Sequence, residues 1–218
     1  MSHYLAGNKM NTRLPWPRRG LYLLTPDEQD TARLLARVRP LLDEGVAMLQ
    51  YRNKQADADL RRIQALALLQ ACREHSVPLI VNDDWRLAAE IGAEGAHLGE
   101  DDDSLAIARA ALGEQAILGV SCYNELAHAE RAAADGASYL AFGAFFPSGT
   151  KPAARRAEPS LLGAGKRLGL PMVAIGGITP DNAGIVISAG ADLVAVIGAV
   201  FDAPDPAASV RAFHSCFE

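Results

Sequence analysis

The sequence predicts a (β/α)8 barrel in a single domain, and three observations predict it. Eight short apolar runs alternate with helix-forming segments, the pattern of a parallel sheet covered on both faces. A Gly-Ala-x signature or a close variant precedes every second run: Gly45-Val46-Ala47, Gly92-Ala93-Glu94, Gly136-Ala137-Ser138 and Gly190-Ala191-Asp192. Each glycine suits the left-handed residue that ends a helix, so the chain reads as four βαβα quarters. At 218 residues, half of them hydrophobic, the chain is long enough to bury one large core and falls in the size range of such barrels. No stretch reads as a linker between two domains.

The elements follow in order. Leu21–Thr25 is the first strand, and Thr25-Pro26-Asp27-Glu28 has the form of a capping box that starts a helix. Ala47–Arg52 is the second strand, followed by a helix over Asp57–His75, which is rich in helix formers. Leu79–Asp83 and Gly95–Gly99 are the third and fourth strands, and both run into acidic loops. Ile117–Cys122 precedes a helix over Glu125–Ala134, and Tyr139–Phe146 is the sixth strand. Met172–Gly177 leads into Thr179-Pro180-Asp181, a second helix start, and Leu193–Gly198 is the eighth strand. Residues 1–19 are expected to form a disordered tail ahead of a barrel over 20–218; either Met1 or Met10 suits the start of the protein.

Charge and composition exclude several functions. A formal net charge of −5 gives no basic face for nucleic acid, so any anion site has to be local. Three cysteines, Cys72, Cys122 and Cys216, with no Cys-x-x-Cys spacing indicate neither a disulfide framework nor a zinc cluster and fit a reducing cytoplasm. No segment has the length and apolarity of a signal peptide core or a membrane span.

In a barrel of this kind the chemistry lies at the C-terminal strand ends. There, strict alternation puts Gln50, Arg52 and Lys54 on one face. Those three suit either a solvent-facing strand edge or an anion site, in which an arginine fork and a lysine point charge would hold a phosphate. The loops after the third and fourth strands carry Asp83, Asp84, Asp101, Asp102 and Asp103. Hard oxygen ligands without histidine or cysteine partners point to Mg²⁺, with one aspartate from each loop as ligand. Asp84 and Asp103 read as acids at helix N-termini. His97 reads as a hydrogen-bonded core histidine, and Cys122 stands at a strand end where it could be exposed. No Ser/His/Asp set emerges, so the pattern offers electrostatics rather than a nucleophile. Gly176-Gly177 and Gly198 close the seventh and eighth strands, where phosphate-binding barrels present backbone N–H groups.

Six motifs in order carry a family resemblance: Gln50-Tyr51-Arg52-Asn53-Lys54, Val81-Asn82-Asp83-Asp84, Gly95-Ala96-His97-Leu98-Gly99-Glu100-Asp101-Asp102, Gly119-Val120-Ser121, Pro147-Ser148-Gly149-Thr150-Lys151 and Ala174-Ile175-Gly176-Gly177-Ile178-Thr179. Together they resemble the thiamine-phosphate synthases over the chain from about Gly20 onward. The resemblance implies a Mg²⁺-dependent transferase that joins a pyrimidinylmethyl diphosphate to a thiazole phosphate and releases diphosphate. It implies that Gln50, Arg52, Lys54, Asn82, Ser121 and Lys151 bind the pyrimidine diphosphate, with Tyr51 and Asn53 in the same segment. It assigns Asp83 and Asp102 to Mg²⁺, and Ser148, Gly149, Thr150, Gly177, Ile197 and Gly198 to the thiazole phosphate side. Arg52, Lys54, Ser121 and Lys151 are then the groups acting on the departing diphosphate.

Three positions depart from the family pattern. Glu100 replaces a glutamine, Ser148 a threonine and Gly198 a serine, so a phosphate contact at Gly198 has to be made by the backbone. A thiazole tautomerase relative resembles Gly-Val-Ser-x-His, whereas this chain has Gly119-Val120-Ser121-Cys122-Tyr123. A non-catalytic barrel that binds phosphorylated thiamine precursors is the remaining alternative; it would need neither the metal nor Lys151. The implied partners are two small phosphorylated molecules.

Overall fold

The apolar runs become eight parallel strands: β1 (Gly20–Leu24), β2 (Met48–Tyr51), β3 (Leu79–Asn82), β4 (Gly95–Leu98), β5 (Ile117–Tyr123), β6 (Tyr139–Gly143), β7 (Met172–Ile175) and β8 (Leu193–Val196). They pair in sequence order, and β1 also pairs with β8, which closes the barrel. This is the computed structural model of the chain, and it describes residues 16–99, 105–147 and 155–218.

Helices α1 (Thr31–Asp43), α2 (Ala58–Glu74), α3 (Trp85–Ile91), α4 (Leu105–Leu112), α5 (Leu126–Ala134), α6 (Ser160–Gly165), α7 (Pro180–Ser188), α8 (Gly198–Phe201) and α9 (Pro206–Ser215) separate or follow the strands. Of the two helices expected over Asp57–His75 and Glu125–Ala134, the first forms with Asp57 and His75 as its caps, and the second with Glu125 as N-cap and Ala134 as its last residue, Asp135 being the C-cap. The four repeat glycines, Gly45, Gly92, Gly136 and Gly190, all adopt positive φ, between +71° and +118°.

The start of α1 differs from expectation. Asp30, not Thr25, caps it by accepting from Arg33 N at 3.0 Å. Thr25 instead exchanges two hydrogen bonds with the backbone of Arg52, at 2.8 and 2.9 Å. A second aspartate, four residues before the first buried apolar position Leu34, outcompetes the earlier box, and the freed segment becomes a loop tied to β2. At α7 the expected start holds: Pro180 opens the helix and Asn182 Oδ1 accepts from Thr179 N at 2.9 Å.

Side chains alternate across the barrel wall, as the two-residue period of a strand requires. One set, including Leu21, Leu23, Leu49, Val81, Leu118 and Leu140, packs against the helices. The other fills the interior, with Tyr22, Met48, Ile80, Ile117, Tyr139, Val173 and Leu193 in a separate apolar cluster. Trp16 packs against this cluster, its ring 5.9 Å from Tyr139, and Arg19 donates to Phe217 O at 3.2 Å. Residues 16–19 of the expected tail therefore lie against the barrel, and residues 1–15 are outside the described residues. Among the described residues, no helix is long and apolar enough to cross a membrane.

Candidate active site

The interior phase that is apolar at the bottom of the barrel turns polar at the top. Gln50, Asn82, His97 and Ser121 stand at the ends of β2, β3, β4 and β5, so neighbouring strands bring their polar ends together. Gln50 is buried, with Nε2 donating to Tyr22 Oη at 2.7 Å. Ser121 Oγ lies 2.8 Å from His97 Nε2, and His97 Nδ1 lies 2.9 Å from Tyr139 Oη. His97 is thus the hydrogen-bonded interior histidine that its apolar neighbours predict. Its contact with Ser121 is invisible in the chain, because the two are 24 residues apart and meet only through the β4–β5 register.

Arg52 and Lys54 lie beyond the end of β2, where the β1α1 loop holds them. Asp27 Oδ1 accepts from Lys54 N at 2.8 Å and from Arg52 Nη1 at 3.3 Å. The Arg52 side chain is 14% exposed and Lys54 52%, so the first cation is largely buried and the second reaches solvent. Asp27 is a member of this set that pattern reading missed, because it was absorbed into the supposed capping box. Tyr51 and Asn53 take the other face of the segment. Tyr51 Oη donates to Gln64 Oε1 at 2.9 Å, and Asn53 Nδ2 donates to Glu28 O at 2.6 Å and to Gln64 Oε1 at 3.0 Å. These contacts brace the loop against α2.

Asp83 follows β3 in a left-handed conformation, φ +61°, with its N–H donating to His97 O at 2.8 Å. This turn lifts its carboxylate to the rim, 45% exposed and 3.8 Å from Lys54 Nζ. Asp84, the next residue, caps α3 by accepting from Leu87 N at 2.9 Å, as its position predicts. A cavity of about 290 Å³ opens beside them, lined by Tyr51, Asn53, Lys54, Arg61, Asn82, Asp83 and others. Among the described residues, Arg61 Nε in its wall is buried without a hydrogen-bond partner.

Gly177 follows β7, which stands opposite β3 in the closed order. A Cβ on Gly177 would come within 2.2 Å of Pro147 O, so only glycine allows the β6α6 and β7α7 loops to approach this closely. Ile197 is the N-cap of α8 and Gly198 its first residue. Asp102, Ser148, Gly149, Thr150 and Lys151 lie outside the described residues, as do Glu100 and Asp103. Strand β6 ends at Gly143, short of the expected Phe146, although Phe145 N and Phe146 N still donate to Ile175 O and Gly176 O.

Cys122 is fully buried rather than exposed, and burial pushes its thiol up to about 12. It is therefore a thiol, not a thiolate, near neutral pH. Ser121 and His97 do not make a hydrolase triad, since the third partner on Nδ1 is the Tyr139 hydroxyl rather than a carboxylate. Among the described residues the site offers cations, amides, a hydroxyl, the rim carboxylate of Asp83, the Asp27 carboxylate that holds Arg52, and glycine backbone.

The chain is a closed (β/α)8 barrel whose polar side chains gather at the C-terminal strand ends. The family model for thiamine monophosphate synthase matches residues 21–200. A thiamine-phosphate synthase of Xanthomonas campestris pv. campestris (strain 8004) is 58% identical over 199 residues, covering 91% of this chain and 96% of that protein. One from Methylobacillus flagellatus is 55% identical over 201 residues, covering 92% and 96%. The solved thiamine phosphate pyrophosphorylase of Pyrococcus furiosus superposes with a TM-score of 0.81 at 31% identity, covering 92% of this chain and 96% of that one. A 3-hexulose-6-phosphate synthase at 19% identity and a TM-score of 0.69 shares the fold alone. The chain belongs to the thiamine-phosphate synthase family, whose members are transferases of thiamine biosynthesis.

Proposed function

We propose that this enzyme couples 4-amino-2-methyl-5-(diphosphooxymethyl)pyrimidine with 4-methyl-5-(2-phosphooxyethyl)thiazole, or its carboxylate, to give thiamine phosphate and diphosphate. The observation that carries the reading is the convergence of Gln50, Arg52, Lys54, Asn82, Asp83 and Ser121 at one side of the barrel mouth. In the reaction the bond between the methylene carbon and the diphosphate oxygen breaks, its electron pair leaving on oxygen. The lone pair of the thiazole nitrogen then forms the new carbon–nitrogen bond. The pyrimidine ring stabilises the carbocation-like methylene, so the protein needs no nucleophile. It has to stabilise the departing charge and align two ligands.

Arg52 and Lys54 supply positive charge for the diphosphate, and Lys151 would join them from the loop after β6. Ser121 adds a hydrogen bond, and Gln50 and Asn82 fix the pyrimidine end. Gly177, Ile197 and Gly198, with Ser148 and Thr150, would hold the thiazole phosphate on the opposite rim. Mg²⁺ fits the donor set, since Asp83 presents a half-exposed oxygen ligand at the rim, and Asp102 would be the second carboxylate. When bound, the ion neutralises charge on the diphosphate oxygens.

Purified protein supplied with both substrates and Mg²⁺ is expected to release diphosphate and form thiamine phosphate, with neither product when one substrate is omitted. Failure of the folded protein to make thiamine phosphate under those conditions overturns the proposal.

A further inference from the structure

Five side chains in the barrel interior form one hydrogen-bonded chain. Gln50 Nε2 is 2.7 Å from Tyr22 Oη, which is 2.8 Å from Tyr139 Oη. Tyr139 Oη is 2.9 Å from His97 Nδ1, and His97 Nε2 is 2.8 Å from Ser121 Oγ. It runs from β2 across the lumen to the top of β5. Tyr139 can cross the lumen because Gly119 lies under its ring, where a Cβ would come within 1.9 Å of the phenol carbon.

The donor and acceptor capacity of each group sets the direction of the chain. An amide nitrogen only donates, so Tyr22 accepts from Gln50. Both tyrosines are buried, and each O–H needs an acceptor. Tyr22 therefore donates to Tyr139, and Tyr139 donates to His97 Nδ1. The imidazole proton is left on Nε2, where it donates to Ser121. With a proton on Nδ1 instead, Tyr139 would have to donate back to Tyr22. Tyr22 would then face two donors with its own buried O–H unmatched, which burial penalises.

We propose that this relay makes Ser121 a hydrogen-bond donor to an oxyanion in the barrel mouth, with His97 as a positioning residue. The serine oxygen is occupied as an acceptor by His97, so its O–H is directed outward. The direction excludes His97 as the base that would activate Ser121. The identity of the oxyanion as the substrate's diphosphate rests on the function proposed above; the direction of the relay does not.

Two measurements test it. In protein labelled with ¹⁵N-histidine, long-range proton–nitrogen correlation is expected to show His97 protonated at Nε2 and bare at Nδ1. A proton on Nδ1, alone or in addition, overturns the relay. The affinity for inorganic diphosphate with Mg²⁺ is then compared in the wild type, Ser121→Ala, Tyr139→Phe and the double variant. Each single change is expected to weaken binding about tenfold or more, the worth of a hydrogen bond to a charged group, and the double variant to be no weaker than Ser121→Ala. A folded Tyr139→Phe protein with wild-type affinity, or fully additive losses, overturns the relay. If the wild type binds no diphosphate, the substrate reading falls, and the nitrogen assignment, which needs no variant and no ligand, still decides the relay.

Discussion

Single residues carry their roles through local chemistry, and Glu28 illustrates how much of it is electrostatic. Arg33 donates to both of its carboxylate oxygens at 2.6 Å, and Asp30 N adds a third bond. These bonds hold Glu28 down to about 2 from an ordinary 4.5. As the pH falls, the unfolded chain takes up this proton before the folded one does, so the contribution is complete above about 4.5 and is lost as the pH drops toward 2. Glu28→Gln is therefore expected to lower the denaturant midpoint at neutral pH, with the gap closing between pH 4.5 and 2. A gap that widens in acid would contradict the assignment. Cys122 gives a second residue-scale outcome: folded protein should alkylate there far more slowly than urea-unfolded protein, as peptide mapping would show. Asp83 combines the two concerns, since its left-handed backbone suits Asp or Asn better than Ala. Asp83→Asn keeps the turn and removes the charge, so it is expected to abolish turnover while leaving the melting temperature close to wild type.

At the scale of the element, the repeat before the even strands acquires a second purpose. Its third residue reaches back to the strand before it: Glu94 Oε2 accepts from Leu79 N at 2.9 Å, Ser138 Oγ from Leu118 N at 3.0 Å, and Asp192 Oδ2 from Met172 N at 2.7 Å. Each side chain thus fastens the first residues of β3, β5 or β7 at the bottom of the barrel, remote from the polar rim. Ala47, the third residue of the repeat before β2, has no side-chain acceptor to offer. Glu94 is almost completely buried, so Glu94→Ala would strand the Leu79 N–H. A loss of about 1–3 kcal/mol is expected by urea unfolding, with Glu94→Gln recovering most of it because the amide oxygen still accepts. Activity per folded molecule should be unchanged in both.

For the whole molecule, closure is what converts separate strand ends into a site. Between the apolar floor around Trp16 and the polar rim, the interior is crossed by Tyr22 and Tyr139, whose rings meet edge to face at 5.8 Å. Burial raises both hydroxyls above their ordinary value, so they remain protonated and available as donors. The crossing depends on the bare Cα of Gly119. Gly119→Ala should displace the Tyr139 ring and cost about 1–3 kcal/mol in stability, the range for overpacking a filled core. The same variant should shift the His97 nitrogen resonances, linking the packing of the floor to the chemistry of the rim. Unchanged stability and resonances would mean that the interior yields without consequence.

By itself the sequence determined the eight strands, their alternation with helices, the extents of α2 and α5, the start of α7, and the rim residues that carry charge. Those features are local: apolar period, capping chemistry and strand ends repeat within a few residues, and the family motifs lie on the same strand ends. Tertiary structure alone decided which side of a strand faces the lumen, where the first helix starts, and that Cys122 is buried. It also decided that Asp27 steadies Arg52, and that Gln50, Tyr22, Tyr139, His97 and Ser121 form one chain. These contacts join residues up to 117 positions apart, and they exist only once the register of a closed barrel has superposed the interior phases of β1, β2, β4, β5 and β6.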